Sequence, residues 1–140
     1  MTLLNAIIIN PVSRTVTSEK IESTLQGMYA ALAVDPAWSG TIERVELDQE
    51  HDLWIDENGC LEPGRPVFFL HNHPFAGVAM ILSYDDEGNS HNCHLPLADI
   101  VRRVGWTDLE TTGDFTQGYS KDSPHSFVYV VGRPIFRRRE

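Results

Sequence analysis

The strongest constraint on the fold is a series of short apolar runs, each of strand length and each ended by a turn signal. The runs read LLNAIII near the first residue, PVFFLHNH and GVAMILSY in the middle of the chain, and SFVYVVG near its end. Runs of about four to eight such residues, bounded by Gly, Pro, Asn and Asp, are typical of strands. The strands do not alternate regularly with helices, so the pattern favours antiparallel pairing over a parallel doubly wound sheet.

Two segments show the helical period instead. Apolar residues spaced three and four apart predict a helix over 18–34, and the same spacing after Pro96 predicts a second helix over 96–104. We therefore predict an α+β fold: a single domain over residues 1–140, with a mostly antiparallel or mixed sheet packed by these two amphipathic helices. The arginine-rich segment 137–140 is expected to form a flexible basic tail.

The charge of the chain is strongly negative and unevenly spread. The net charge is −9, and between Glu43 and Glu62 eight acidic residues are opposed by Arg44 alone. Direct nucleic-acid binding is not expected, because it requires lysine and arginine to neutralise phosphates. We expect instead an acidic surface that docks on a basic host protein; the alternative is that the acidic segment is only the solvated face of a strand. The residues assigned to that surface are Glu43, Glu46, Asp48, Glu50 and Asp52.

The cellular compartment is suggested by two further features. The opening MTLLNAIIIN has no basic region and no small-residue cleavage site, and it is far shorter than the roughly 20 residues that span a bilayer. The two cysteines are too few for a disulfide scaffold and fit a reducing environment. We expect a soluble cytoplasmic protein without membrane contact; its oligomeric state is left open.

The segment FLHNHPFAG raises the possibility of a metal site. If residues 66–95 form a three-stranded meander, His71 and His73 share one face at the end of their strand, and Cys93 or His94 reaches the same edge. Two histidines and one of these two residues would supply three ligands of an open zinc site. Only one of Cys93 and His94 can point to the required face. The alternative is that the histidines merely end a strand and form a turn.

HNHP resembles the His-x-His-Pro element of JAMM-type zinc metalloproteases, including the bacterial JAB branch. In that family two histidines and a downstream aspartate bind zinc beside the serine of a Ser-x-x-Asp element, which Ser83 to Asp86 would supply here. The family leaves seven residues between the second histidine and the serine, whereas His73 and Ser83 are separated by nine. The likeness covers about 16 residues, and we interpret it as a coincidence.

A wider resemblance covers roughly residues 4–106. The chain resembles a family of small proteins of unknown function found in phages, plasmids and bacterial genomes. The shared features are an Asp-Glu-x-Gly turn at 56–59, a strand that begins with proline, an Ala-Gly-hydrophobic strand from Ala76, and a second Asp-Glu-Gly turn at 86–88. The resemblance implies origin in a mobile element but supplies no activity.

These observations predict a non-enzymatic accessory protein of a phage or mobile element that binds a host macromolecule through its acidic surface. No catalytic residue and no cofactor are assigned, because the chain has no nucleophile elbow, P-loop or dinucleotide fingerprint. The alternative is a zinc-dependent hydrolase or metal-binding domain centred on His71 and His73. A third hypothesis is a small-ligand module lined by Trp38, Trp54 and Trp106.

Overall fold

The computed structural model describes residues 2–33, 42–116, 119–122 and 128–140. Two seven-residue helices, α1 (Leu25–Ala31) and α2 (Leu97–Arg103), and one turn of 3₁₀ helix at Gly59–Leu61 accompany the strands. The described strands are β1 (Leu3–Asn10), β2 (Thr15–Glu22), β3 (Ile42–Glu46), β4 (His51–Asp56), β5 (Pro66–Leu70), β6 (His73–Ala76), β7 (Ala79–Tyr84), β8 (Ser90–His91), β9 (Val104–Phe115), β10 (Tyr119–Asp122), β11 (Val128–Val131) and β12 (Pro134–Arg138).

Two antiparallel sheets organise the fold. The first has the strand order β2-β1-β7-β4-β3, with the short β8 added beside β7. The second has the order β12-β9-β5-β6, and β10 pairs with β11 separately. Every described pair is antiparallel, and the α+β class predicted from the sequence is confirmed.

The central strands of the first sheet are buried on both faces. Ile7 and Ile9 of β1 and Ile81 of β7 pack in the core that also holds the inner residues of the second sheet. Ile8 and Met80 point the other way, into a second cluster beside α1. This two-sided burial explains why LLNAIIIN is almost continuously apolar, and each of these side chains contributes roughly 1.5–3 kcal/mol by leaving water.

The first helix is shorter than predicted. Residues 15–22 form β2, which pairs with β1 over eight residue pairs, and α1 begins only after Thr24. The Thr24 hydroxyl accepts the Gly27 N–H at 3.0 Å and caps the helix. The prediction of helix over 18–22 was wrong because Ile21 fits an apolar stripe of either period, and pairing with β1 decides the outcome. Val34 lies outside the described residues.

The second helix agrees with its prediction. α2 lies within the expected range 96–104, and Ile100, on its inner face, is completely buried. Neither described helix has the length and apolar content needed to span a membrane.

The segment DLWIDENGCLEP predicts a hairpin turning at residues 57–59, but the chain changes sheets there. β4 belongs to the first sheet and β5 to the second, so the intervening residues form a crossing rather than a hairpin. Thr111, completely buried in β9, holds this crossing: its hydroxyl donates to Glu62 O at 2.6 Å and accepts the Arg65 N–H at 2.9 Å. Strand and turn signals do not reveal which sheet a strand joins, which is why the hairpin was expected.

Residues 137–140 do not form the expected free tail. Arg137 and Arg138 belong to β12 and pair with β9, and the Arg139 N–H donates to Asp108 O at 2.7 Å. The Arg137 guanidinium also lies 3.1 Å from the Glu110 carboxylate. Backbone pairing and the ion pair between Arg137 and Glu110 therefore hold this segment on the second sheet.

Candidate functional site

β3 forms an edge of the first sheet, since among the described strands it pairs only with β4. Val45 packs against the core between the two sheets. Because successive side chains alternate across a strand, Glu43 points to the same side as Val45, whereas Arg44 and Glu46 point to the opposite face. The edge thus presents charged residues on both of its faces.

The turn between β3 and β4 is fixed by Asp48 and His51. One carboxylate oxygen of Asp48 accepts the N–H groups of Glu50 and His51 at 2.8 and 2.7 Å and lies 3.1 Å from Nδ1 of the His51 ring. Burial acts to raise the pKa of Asp48, but these hydrogen bonds outweigh it and lower the pKa below its ordinary value. Asp48 is therefore a structural residue of the turn.

His51 is buried and has both ring nitrogens engaged. Its Nε2 accepts the His94 N–H at 3.1 Å, so Nδ1 carries the hydrogen and donates it to Asp48. The rings of His51 and His94 also meet edge to face, with centroids 6.1 Å apart. Since a backbone N–H occupies Nε2, this Asp–His pair has no free base for catalysis.

Asp52 has a similarly structural role. It is 6% exposed, and its carboxylate lies 3.5 Å from Nε of Arg44. Burial raises the pKa of Asp52, and the neighbouring Arg44 charge opposes that effect. Arg44, the only arginine or lysine between residues 43 and 62, is therefore already paired with Asp52.

The five acids of the predicted surface thus separate into two groups. Asp48 and Asp52 are committed to the hairpin, whereas Glu43, Glu46 and Glu50 are exposed and form no ion pair with another described residue. The structure gathers the exposed three on the β3 edge and its turn. Sequence reasoning did not identify His51, although an aspartate three residues before a histidine at a turn is the available signal.

A cleft of about 1200 Å³ opens beside this edge, between the two sheets. Its floor contains buried Leu53 and Leu70 from opposite sheets. Most of the remaining wall is apolar, contributed by Val45, Leu47, Ile55, Leu61, Pro74, Phe75, Phe115 and Phe136. Glu43, Glu46, Glu57, His71, His73 and Arg133 add charged or polar groups to the lining.

The predicted three-stranded meander over 66–95 was wrong. His71 and Asn72 have φ of 52° and 62°, and they form the two-residue turn of the β5–β6 hairpin, in which Leu70 pairs with His73. Two successive positive φ values are typical of type I′ turns, which match the twist of hairpins. His71 and His73 are exposed at this turn and do not share a strand face.

Cys93 and His94 lie in a different place, beside the first sheet. Cys93 packs against the core, its N–H donates to Asn5 O at 2.8 Å, and burial raises the pKa of its thiol. Within the described ranges, no three His, Cys, Asp or Glu residues are grouped so that they could hold a metal ion. Ser83, the serine of the JAMM-like element, donates its hydroxyl to Asn92 O at 2.5 Å.

Trp54 and Trp106, the tryptophans that the structure describes, do not line a common pocket. Trp106 packs against the core between the sheets, and Trp54 packs on the opposite face of the first sheet. Trp38 lies outside the described residues.

No protein-family model, curated protein or solved structure matches this chain. The resemblance to phage and plasmid proteins therefore stays a prediction, and function has to be argued from the chain's own geometry.

Proposed function

We propose that this protein is a non-enzymatic accessory protein of a phage or mobile element, and that it binds a basic surface of a host protein through the acidic edge of its first sheet. The observation that carries the proposal is the set of exposed carboxylates Glu43, Glu46 and Glu50 on one edge strand and its turn, which form no ion pair with another described residue. The mobile-element origin rests on the sequence resemblance alone.

The rigidity of the hairpin supports this function. Asp48 and His51 fix the turn, and the Tyr84 hydroxyl donates to Gln49 O at 2.9 Å from the neighbouring strand β7. Carboxylates held on a rigid element lose little conformational freedom when a partner binds. Exposed charges of one sign also accelerate the encounter with a partner of opposite sign.

The zinc hydrolase hypothesis has less support. His71 and His73 sit on an exposed hairpin turn, and the buried histidine, His51, has no free nitrogen. An interaction surface uses the carboxylates that the fold leaves exposed, whereas the hydrolase hypothesis needs His71 and His73 beside Cys93 or His94, which lie elsewhere.

The test is a charge reversal with a matched control. Glu43→Lys/Glu46→Lys changes the edge β3, and Glu19→Lys/Glu22→Lys makes the same change in net charge on β2, the opposite edge of the same sheet. Host proteins captured by the wild type are identified by mass spectrometry, and the affinity of each purified candidate is measured by calorimetry. We expect at least a tenfold loss of affinity for the β3 variant, because each attraction becomes a repulsion.

The control defines how the result is interpreted. We expect the β2 variant to keep its affinity within about threefold, because the change in net charge alone should not weaken binding to a partner that contacts β3. Equal weakening by both variants, or by neither, would remove the acidic edge from consideration as the contact surface. Thermal melts of both variants establish that any loss of binding is not a loss of fold.

A further inference from the structure

The backbone of β3 has three residues whose polar groups face away from the sheet. In the antiparallel β3–β4 pair the Leu47 N–H donates to His51 O at 3.0 Å, so residues 47, 45 and 43 bond toward β4. On the other side of β4, the Tyr84 N–H donates to Glu50 O at 3.0 Å, which gives the same alternation. The N–H and C=O groups of Ile42, Arg44 and Glu46 therefore point outward from the edge.

The two faces beside this edge differ in chemistry. On the face of Val45 lies the apolar cleft of about 1200 Å³. On the face of Glu46 lies a shallow depression lined by acidic residues. Its carboxylates belong to Glu46, Asp52, Asp85 and Asp86, and Arg44, which pairs with Asp52, also lines it. A strand placed next to β3 would thus direct alternate side chains into an apolar and an acidic environment.

We propose that the partner binds by strand addition: an extended segment pairs with the outward backbone groups of β3, with apolar side chains in the cleft and basic side chains on the acidic face. This inference rests on the proposed function and adds the mode of binding and the sequence pattern of the partner. Main-chain hydrogen bonds give such complexes affinity, and the alternate side-chain pockets give them specificity.

The alternation of side chains along a strand predicts which residues of the added partner segment are basic and which are apolar. Residues directly opposite each other in a sheet point to the same face, so the partner residue opposite Glu46 carries a basic side chain, and the residue two positions away, opposite Arg44, points to the same face. In antiparallel addition these same residues direct their N–H groups toward β3, whereas the apolar residues direct theirs to solvent. All described strand pairs in this protein are antiparallel, and we expect antiparallel addition here too.

The probe is the peptide acetyl-Lys-Val-Lys-Val-Lys-Val-Lys-amide, compared with two N-methylated forms. One form carries methyl groups on the backbone nitrogens of its lysines, and the other carries them on the backbone nitrogens of its valines. The two forms therefore have the same charge and the same side chains. We expect the lysine-methylated peptide to bind at least tenfold more weakly, because two or three hydrogen bonds are lost, and the valine-methylated peptide to bind like the parent. Affinity is measured by calorimetry with the full chain.

A pair of protein variants tests the same contact from the other side. Arg44→Pro removes an outward N–H, and a proline is tolerated on an edge strand where that N–H faces solvent. Arg44→Ala is the matched control, because it removes the guanidinium and keeps the N–H. We expect roughly tenfold weaker peptide binding for Arg44→Pro than for Arg44→Ala. If the proline variant fails to fold, the two methylated peptides still decide the question.

The outcomes separate this inference from the proposed function. If only one methylated peptide loses binding, strand addition is supported, and the blocked set of residues reports the strand direction. If both or neither lose binding, or if the parent peptide does not bind, strand addition is wrong. When binding still falls for Glu43→Lys/Glu46→Lys while methylation has no effect, the acidic contact stands without strand addition. A wild-type dimer that Arg44→Pro converts to monomer would assign the edge to a second copy of the chain and overturn the proposal.

Discussion

Replacing His51 tests whether the β3–β4 turn is held by the buried imidazole. His51→Ala removes the donor to Asp48 and the acceptor of the His94 N–H, both at 3.1 Å. It also removes a ring that is only 3% exposed. The backbone N–H groups of residues 50 and 51 still donate to the Asp48 carboxylate in this variant, so the turn keeps part of its support. We therefore expect destabilisation of the folded state rather than a failure to fold.

The magnitude follows from the three losses. The His94 N–H loses its partner at a cost of about 1 kcal/mol, and the bond to the half-exposed Asp48 carboxylate contributes about 1 kcal/mol more. Withdrawing the ring from the core costs about another 1 kcal/mol. We expect the free energy of unfolding to fall by about 3 kcal/mol, measured by urea denaturation at pH 7. For a chain of this length that corresponds to a melting temperature lower by about 9 °C.

Two isosteric substitutions divide this loss between the nitrogens. The amide of His51→Asn can donate at the position of Nδ1, and the amide of His51→Gln can accept at the position of Nε2. Each should recover about 1 kcal/mol relative to His51→Ala. A loss below about 1 kcal/mol for His51→Ala, with neither amide variant different from it, would refute the argument that the ring holds the turn.

Two further predictions concern other polar contacts of the fold. The hydrogen bond from His91, 2.8 Å away, lowers the pKa of Asp85 to about 2. The stabilising contribution of the Asp85 carboxylate is therefore present above about pH 4 and is lost as the pH falls toward 2. Asp85→Asn should flatten this part of the profile of urea midpoint against pH between pH 5 and 2, and an unchanged profile would contradict the assignment. Thr111→Val should lower the free energy of unfolding by about 2 kcal/mol in urea denaturation, because it removes the hydroxyl that bonds the buried crossing between β4 and β5. Thr111→Ser should recover most of this loss. Equal stability of the two variants would show that the hydroxyl is not the cause.

Much of the fold could be predicted because local signals and long-range pairing agree. The segment LLNAIIIN is buried on both faces, and its composition shows it. The helix after Pro96 has the period and the starting residue that helices require. Residues 15–22 are different: their sequence is polar and irregular, and they become a strand because β1 offers a complete edge for pairing. No property of that segment alone contains this information.

The three-stranded meander that would have grouped the predicted metal ligands was wrong for a related reason. HNHP reads as the end of a strand, and only the positive φ values of His71 and Asn72 show that the chain reverses there. Asn at the second turn position was the available signal for a type I′ hairpin. Once the chain reverses at Leu70, the second sheet takes β5 and β6, the first takes β7, and the histidines part from Cys93 and His94.

The acidic surface shows why a candidate site is harder to predict than a strand. Acidic residues occupy every second position from 46 to 52, and nothing in the sequence distinguishes the chemical roles of Glu46, Asp48, Glu50 and Asp52. The structure distinguishes them by their partners: His51, brought close by the turn, engages Asp48, while Arg44 engages Asp52 across the strand pair. Which carboxylates remain exposed depends on those contacts, and they lie at an edge among the described strands because the order of the first sheet places β3 last. The proposed contact surface, made of exposed carboxylates and outward-pointing backbone groups, therefore has no sequence motif of its own, and it can be identified only after the internal pairings are known.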